Sequence, residues 1–224
     1  MGGNSLTIQF GVAQHNLLEP GVMLRLAQGG QAPNVIEFIK GLDPLWQRMV
    51  LFTRNSVWAL TDYGQARPVM EIIEGLNHAG QTSVLATDGP VFWLAYGGQA
   101  SALIEVIKGL DKDWQKMVLA TDGVVWPLAY KGQADVVMEI IKGLDMAGQK
   151  AVLATPRAVW GLAEAGQANA VMAIIKGLDP IGQQAVLAAD EAVSGLEAKG
   201  QRPAIDAIKL GWSAAGSPQP QPRP

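Results

Sequence analysis

The chain has no cysteine, which excludes disulfides, thiolate zinc sites and cysteine nucleophiles together. Histidine is almost as scarce. His15 and His78 are the two in the chain, they stand at non-equivalent places, and no H-E-x-x-H, Walker loop or G-x-S-x-G accompanies them. Charged residues make up 17% of the chain and the formal net charge is -3, so nothing draws the molecule as a whole toward nucleic acid or an anionic membrane. No apolar run is long enough for a transmembrane helix, which needs about 18 residues or more. Residues 1–6 lack the basic and apolar segments of a secretory leader. These absences lead to the expectation of a non-enzyme with no catalytic residues, cofactor, metal, small-molecule substrate or membrane partner. The expected location is the cytoplasm, or a host cell if the chain is a delivered effector.

What the chain does have is regularity. Gly-Gln recurs at 30–31, 64–65, 98–99, 132–133, 166–167 and 200–201, a constant step of 34 residues. Gly-Leu-Asp keeps that step at 41–43, 109–111, 143–145 and 177–179, with Gly75-Leu76-Asn77 between. Apolar positions share the register: Met23 with Val57, Val91, Val125, Val159 and Val193, and Leu26 with Leu60, Leu94, Leu128, Leu162 and Leu196. A fixed period of this length marks a repeat architecture. Repeats are assigned to 18–51, 52–85, 86–119, 120–153, 154–187 and a shortened 188–212, preceded by an N-terminal cap over 1–17 and followed by a Pro-rich tail over 213–224 that reads as disordered linker.

Each repeat reads as helix, tight turn, helix, kink, short helix. In the fifth, Thr155 and Pro156 suit an N-cap and first helical position, and Gly166 suits a left-handed C-terminal stop. Asp179-Pro180 opens the third helix after Gly177-Leu178. Val159, Leu162 and Ala163, then Val171, Met172, Ile174 and Ile175, fall at helical spacing on one face. A single unit cannot bury these residues alone, so stacking on neighbours is required, with each buried side chain contributing roughly 1.5–3 kcal/mol. The expected fold class is an all-α solenoid of two-to-three-helix repeats. Asp206 and Lys209 stand where earlier repeats carry Met138 and Ile141, as a water-facing last repeat demands; Phe10, Val12 and Leu17 are assigned to the opposite cap.

Among repeated residues, Trp58, Trp126 and Trp160 share one position, with Phe92 at that position and Trp93 beside it; beside a core valine, they are assigned to packing between repeats rather than to a stacking ladder. Trp46 and Trp114 share another position, filled by glycine elsewhere, and are expected to be partly exposed. The Gln of each Gly-Gln turn is expected to bond the turn backbone of its own or the next repeat. The residue before each turn glycine varies: Gly29, Tyr63, Gly97, Lys131, Ala165 and Lys199. Varying residues on a uniform turn are the candidate partner-binding edge. Pro127 implies either a helix that starts near Trp126 or a kink.

Residues 122–145, from Asp122-Gly123 through Gly132-Gln133 and Val136-Val137 to Gly143-Leu144-Asp145, resemble an ankyrin helix pair, with a helical segment over 146–153 where ankyrins have a β-turn finger. The 34-residue length, Thr155-Pro156, Gly166, Leu178 and Pro180 also resemble repeats of transcription-activator-like effectors. That resemblance implies base reading by the turn pairs Gly29-Gly30, Tyr63-Gly64, Gly97-Gly98, Lys131-Gly132, Ala165-Gly166 and Lys199-Gly200. Two functions are expected: a non-catalytic module that binds a protein partner, within a bacterial effector on the second resemblance, or a nucleic-acid-binding array. A basic stripe from Arg67, Lys131 and Lys199 would favour the latter, and an apolar patch at Trp46 and Trp114 the former.

Overall fold

In a computed structural model, residues 17–19, 21–53 and 55–214 are described, and all regular structure among them is helical. The assignments to Phe10 and Val12 lie outside those residues; Leu17 is buried. Each full repeat holds three helices. The first helices are α1 (Val22–Gln28), α4 (Ser56–Asp62), α7 (Pro90–Leu94), α10 (Val125–Leu128), α13 (Ala158–Leu162) and α16 (Ala192–Ala198). The second helices are α2 (Ala32–Lys40), α5 (Ala66–Gly75), α8 (Ala100–Gly109), α11 (Ala134–Lys142), α14 (Ala168–Gly177) and α17 (Arg202–Ala214). The third helices are α3 (Pro44–Phe52), α6 (His78–Leu85), α9 (Lys112–Leu119), α12 (Met146–Leu153) and α15 (Pro180–Leu187). The last helix runs through Ala214, two residues into the segment expected to be tail.

The first helix of every repeat lies between two left-handed residues. At its end are Gly30, Gly64, Gly98, Gly132, Gly166 and Gly200, all with positive φ. Before its start are Gly21, Asn55, Gly89, Gly123, Arg157 and Glu191, also positive and also one repeat apart. The second set corrects the expected start of the fifth repeat. α13 begins at Ala158 behind Arg157 at φ 60°, not at Pro156, and Thr155 is no N-cap. Its hydroxyl donates to the Val152 carbonyl at 2.6 Å and closes the end of α12; Thr87 does the same to Val84 at 2.7 Å. A hydroxyl at the end of one helix can serve either neighbour, and the left-handed residue that must follow assigns it to the earlier one. Pro127 falls in the first turn of α10, where its missing N–H leaves no bond unmade.

Third helices start on side-chain caps. Asp43, Asn77, Asp111, Asp145 and Asp179 each accept from the amide three residues on, at 3.1, 2.8, 3.0, 2.7 and 2.6 Å. The repeated glutamine of the same helix reaches back to the end of the second helix. Gln115 donates to the carbonyls of Lys108 and Leu110 at 3.1 and 3.0 Å, and Gln47, Gln81, Gln149 and Gln183 do likewise to Lys40, Glu74, Lys142 and Lys176. Carbonyls otherwise orphaned at a helix end are thereby partnered.

The backbone forms two compact units, Met1–Val106 and Ile107–Pro224. In the first, α1 packs on α4 and α4 on α7, while α2 packs on α5 and α3 on α6. In the second, α10 packs on α13 and α13 on α16, α11 on α14, and α9 on α12 on α15. Within each unit, then, like packs on like one repeat further on. Ile39, Ile73, Ile107, Ile141 and Ile175 are all fully buried at one repeat position; the next in the series, Lys209, is exposed, as is Asp206. The stretch Ala158–Gly177 is long and apolar enough to cross a membrane by length and composition, but Gly166, at φ 89°, breaks it into two helices whose apolar faces are buried.

Candidate functional site

The tryptophans of the first helices stand closest to a site. Held in short helices between two left-handed residues, they meet across repeats. Trp58 and Trp93 have ring centroids 6.0 Å apart, and Trp126 and Trp160 6.2 Å apart, tilted by 48° and 42°. For the later tryptophans the fit depends on a glycine in the next repeat. A Cβ on Gly161 would lie 2.8 Å from Trp126 Cδ1, and one on Gly195 2.9 Å from Trp160 Cα. The rings pack, in line with their assignment, yet all four are only half-buried and each pair borders an open groove.

In the second unit that groove encloses about 440 Å³ between Trp126 and Trp160, with Tyr130, Asp135, Gly161 and Glu164 along it. Glu164 is paired with Lys199 at 3.0 Å, and Asp135 accepts from the Gln167 side chain. The same bond recurs one repeat on, from Gln201 to Asn169 at 2.7 Å. Two cations of the chain lie over ring faces beside the groove: the Arg157 guanidinium 6.0 Å from the Trp126 centroid, and the Lys131 ammonium 5.6 Å from that of Tyr130. In the first unit a groove of about 450 Å³ is bordered by Trp58, Trp93, Phe52, Asp88 and Pro90, and Phe52 is 56% exposed.

The structure puts the residues of the expected turn edge at or near the surface but gives most of them packing neighbours. Tyr63, Gly29, Gly97 and Lys199 are exposed, Lys131 and Ala165 half-buried. A Cβ on Gly97 would lie 2.6 Å from that of Ala66; Lys199 holds Glu164; Ala165 lines the groove of the second unit. Trp46 and Trp114, on α3 and α9, are half-buried. Gln65 donates to the Tyr63 carbonyl of its own turn at 3.5 Å, as expected, whereas Gln167 and Gln201 bond side chains of the preceding repeat. Of the three cations weighed for a basic stripe, Arg67 bonds Glu71 at 3.1 Å and Lys199 bonds Glu164. The Arg67 hydrogen bond, then that of Lys40, holds the Glu71 carboxyl below its ordinary range.

Asp135, Gly161 and Glu164 carry no motif that marks them in the sequence. The signal that could have found them is non-uniformity: the position of Gly161 holds Trp93 and Pro127 in the preceding repeats, and that of Asp135 holds Arg67 and Ser101. Compared with models of known families, with curated proteins and with solved structures, the chain matches none.

Proposed function

We propose that the 34-residue repeats stack in solenoid fashion within each unit, and that the protein is a non-catalytic module that binds a partner protein through the grooves between its first helices. The observation that carries the reading is the pairing of half-buried tryptophans from successive repeats beside an open groove, once in each unit. Aromatic side chains that remain accessible offer large contact area at small conformational cost, which is what protein recognition sites use. Phe52, exposed at the end of α3, borders the groove of Trp58, and Leu45 and Met49 on the same helix are exposed as well. The resemblance to ankyrin and transcription-activator-like effector repeats accords with a stack of units that presents one residue set per repeat.

A random-peptide display selection tests this. Enrichment of peptides whose binding is lost in Trp126→Ala or Trp58→Ala supports the reading, provided both variants keep the wild-type circular dichroism. The nucleic-acid alternative is read in parallel by fluorescence anisotropy with duplex DNA and single-stranded RNA. Micromolar binding that weakens steeply with salt, together with no peptide enrichment, would replace protein recognition by the effector-repeat analogy.

A further inference from the structure

The two tryptophan grooves differ in charge and in shape. Both charged residues that line the groove of the second unit, Asp135 and Glu164, are acidic. The groove of the first unit is lined by a single charged residue, Asp88, and the repeat position of Gly161 is taken there by Trp93. The groove between the fourth and fifth repeats thus carries two indole rings and two carboxylates. Aromatic faces attract cations through their quadrupole, and carboxylates at the rim add to the attraction. The chain already uses this chemistry beside the groove, where Arg157 lies over Trp126 and Lys131 over Tyr130. Glu164 is engaged by Lys199 from the next repeat, whereas the bond that Asp135 accepts comes from a neutral amide, which leaves its charge unmatched by that contact.

Resting on the protein-binding reading above, we infer that the Trp126–Trp160 groove takes a cationic side chain, arginine or a lysine bearing its full charge, from an extended segment of the partner. The rings hold the apolar stem and the delocalised or alkylated head, and Asp135 and Glu164 complement its charge.

The test is a titration of the ¹⁵N-labelled full chain followed at the indole N–H resonances, with Trp126 and Trp160 assigned through their Phe variants. The probes are N-acetyl-arginine amide, N-acetyl-trimethyllysine amide and the neutral N-acetyl-norleucine amide, at constant ionic strength. The expected result is saturable shifts of the Trp126 and Trp160 signals with one or both cations, with dissociation constants on the order of ten millimolar or tighter, and none with norleucine. The two cationic probes separate a guanidinium from an alkylated ammonium preference. Asp135→Asn should weaken the cation by about threefold or more. This variant keeps an acceptor for Gln167, as Asn169 does for Gln201, so the fold is expected to survive it. The double variant Glu164→Gln/Lys199→Gln removes the rim pair together and gives a second, independent reading.

Equal shifts with norleucine, no shifts with either cation, or full affinity in both charge variants overturns the inference. If peptide selection meanwhile returns sequences without basic residues that still need Trp126, protein binding stands and the cation site alone falls. If it returns nothing, both fall.

Discussion

At the scale of single residues, two glycines of the fifth repeat separate backbone cost from steric cost. Gly166 has φ 89°, and a Cβ there would meet nothing within 4 Å. Gly166→Ala therefore loses only through the left-handed conformation, about 1–2 kcal/mol in urea denaturation. Gly161 has no positive φ, but its Cβ would press on Trp126 at 2.8 Å. Gly161→Ala should cost about 1–3 kcal/mol by overpacking and also shift the emission of the Trp126 indole, which Gly166→Ala should leave alone. A stability loss at Gly161 with unchanged fluorescence would argue against the ring contact. Arg157 runs the other way: at φ 60°, its replacement by glycine should be neutral or stabilise by up to about 1 kcal/mol. Glu71 titrates below an ordinary glutamate because Arg67 and Lys40 favour its anion. A lowered folded-state value means the stabilisation is present above the unfolded-state range and disappears as pH falls through the folded one; the carboxyl carbon chemical shift of Glu71, followed from pH 7 downward, should change later than that of an unpaired glutamate.

Among elements, the third helix depends on one cap at its start and one glutamine that serves its predecessor. Asp145→Ala removes the 2.7 Å acceptor for Gly148 and should cost about 1 kcal/mol. Gln115→Leu is expected to cost more, about 1–3 kcal/mol, because Gln115 is 4% exposed and two carbonyls at the end of α8 lose their donor. Thermal unfolding of the two variants ranks them, and a Gln115→Leu protein as stable as wild type would mean that water replaces the amide. The Asp caps were legible because Gly-Leu-Asp-Pro combines a helix stop, a cap and a first-turn proline in four residues. Thr155-Pro156 has the same appearance and misled, since a threonine between two helices suits either. The left-handed position after it is marked by glycine in the third and fourth repeats, Gly89 and Gly123, but arginine and glutamate fill it in the last two and carry no local mark of positive φ.

For the molecule as a whole, nearest-neighbour packing governs stability when each repeat touches only the next. Within the second unit, α14 buries Val171, Met172, Ile174 and Ile175, whereas the terminal α17 keeps Ile205 and Ile208 of the same face. Native-state hydrogen exchange should then be slowest in α13 and α14 and fastest in α17. Uniform protection across these helices would show that the unit opens all at once.

Repeat length, three helices per repeat, the capping aspartates and the buried face of each helix were determined by the sequence alone. These come from backbone preference and from periodicity within a few residues, and such local rules repeat wherever the residues do. The groove was decided only by tertiary structure. Trp126 and Trp160 are one repeat apart, and Trp126 packs against Gly161 so closely that a Cβ there would lie 2.8 Å from its ring; Asp135 and Glu164 come to the same groove from different repeats. No local preference carries that information, because it resides in how neighbouring helices pack.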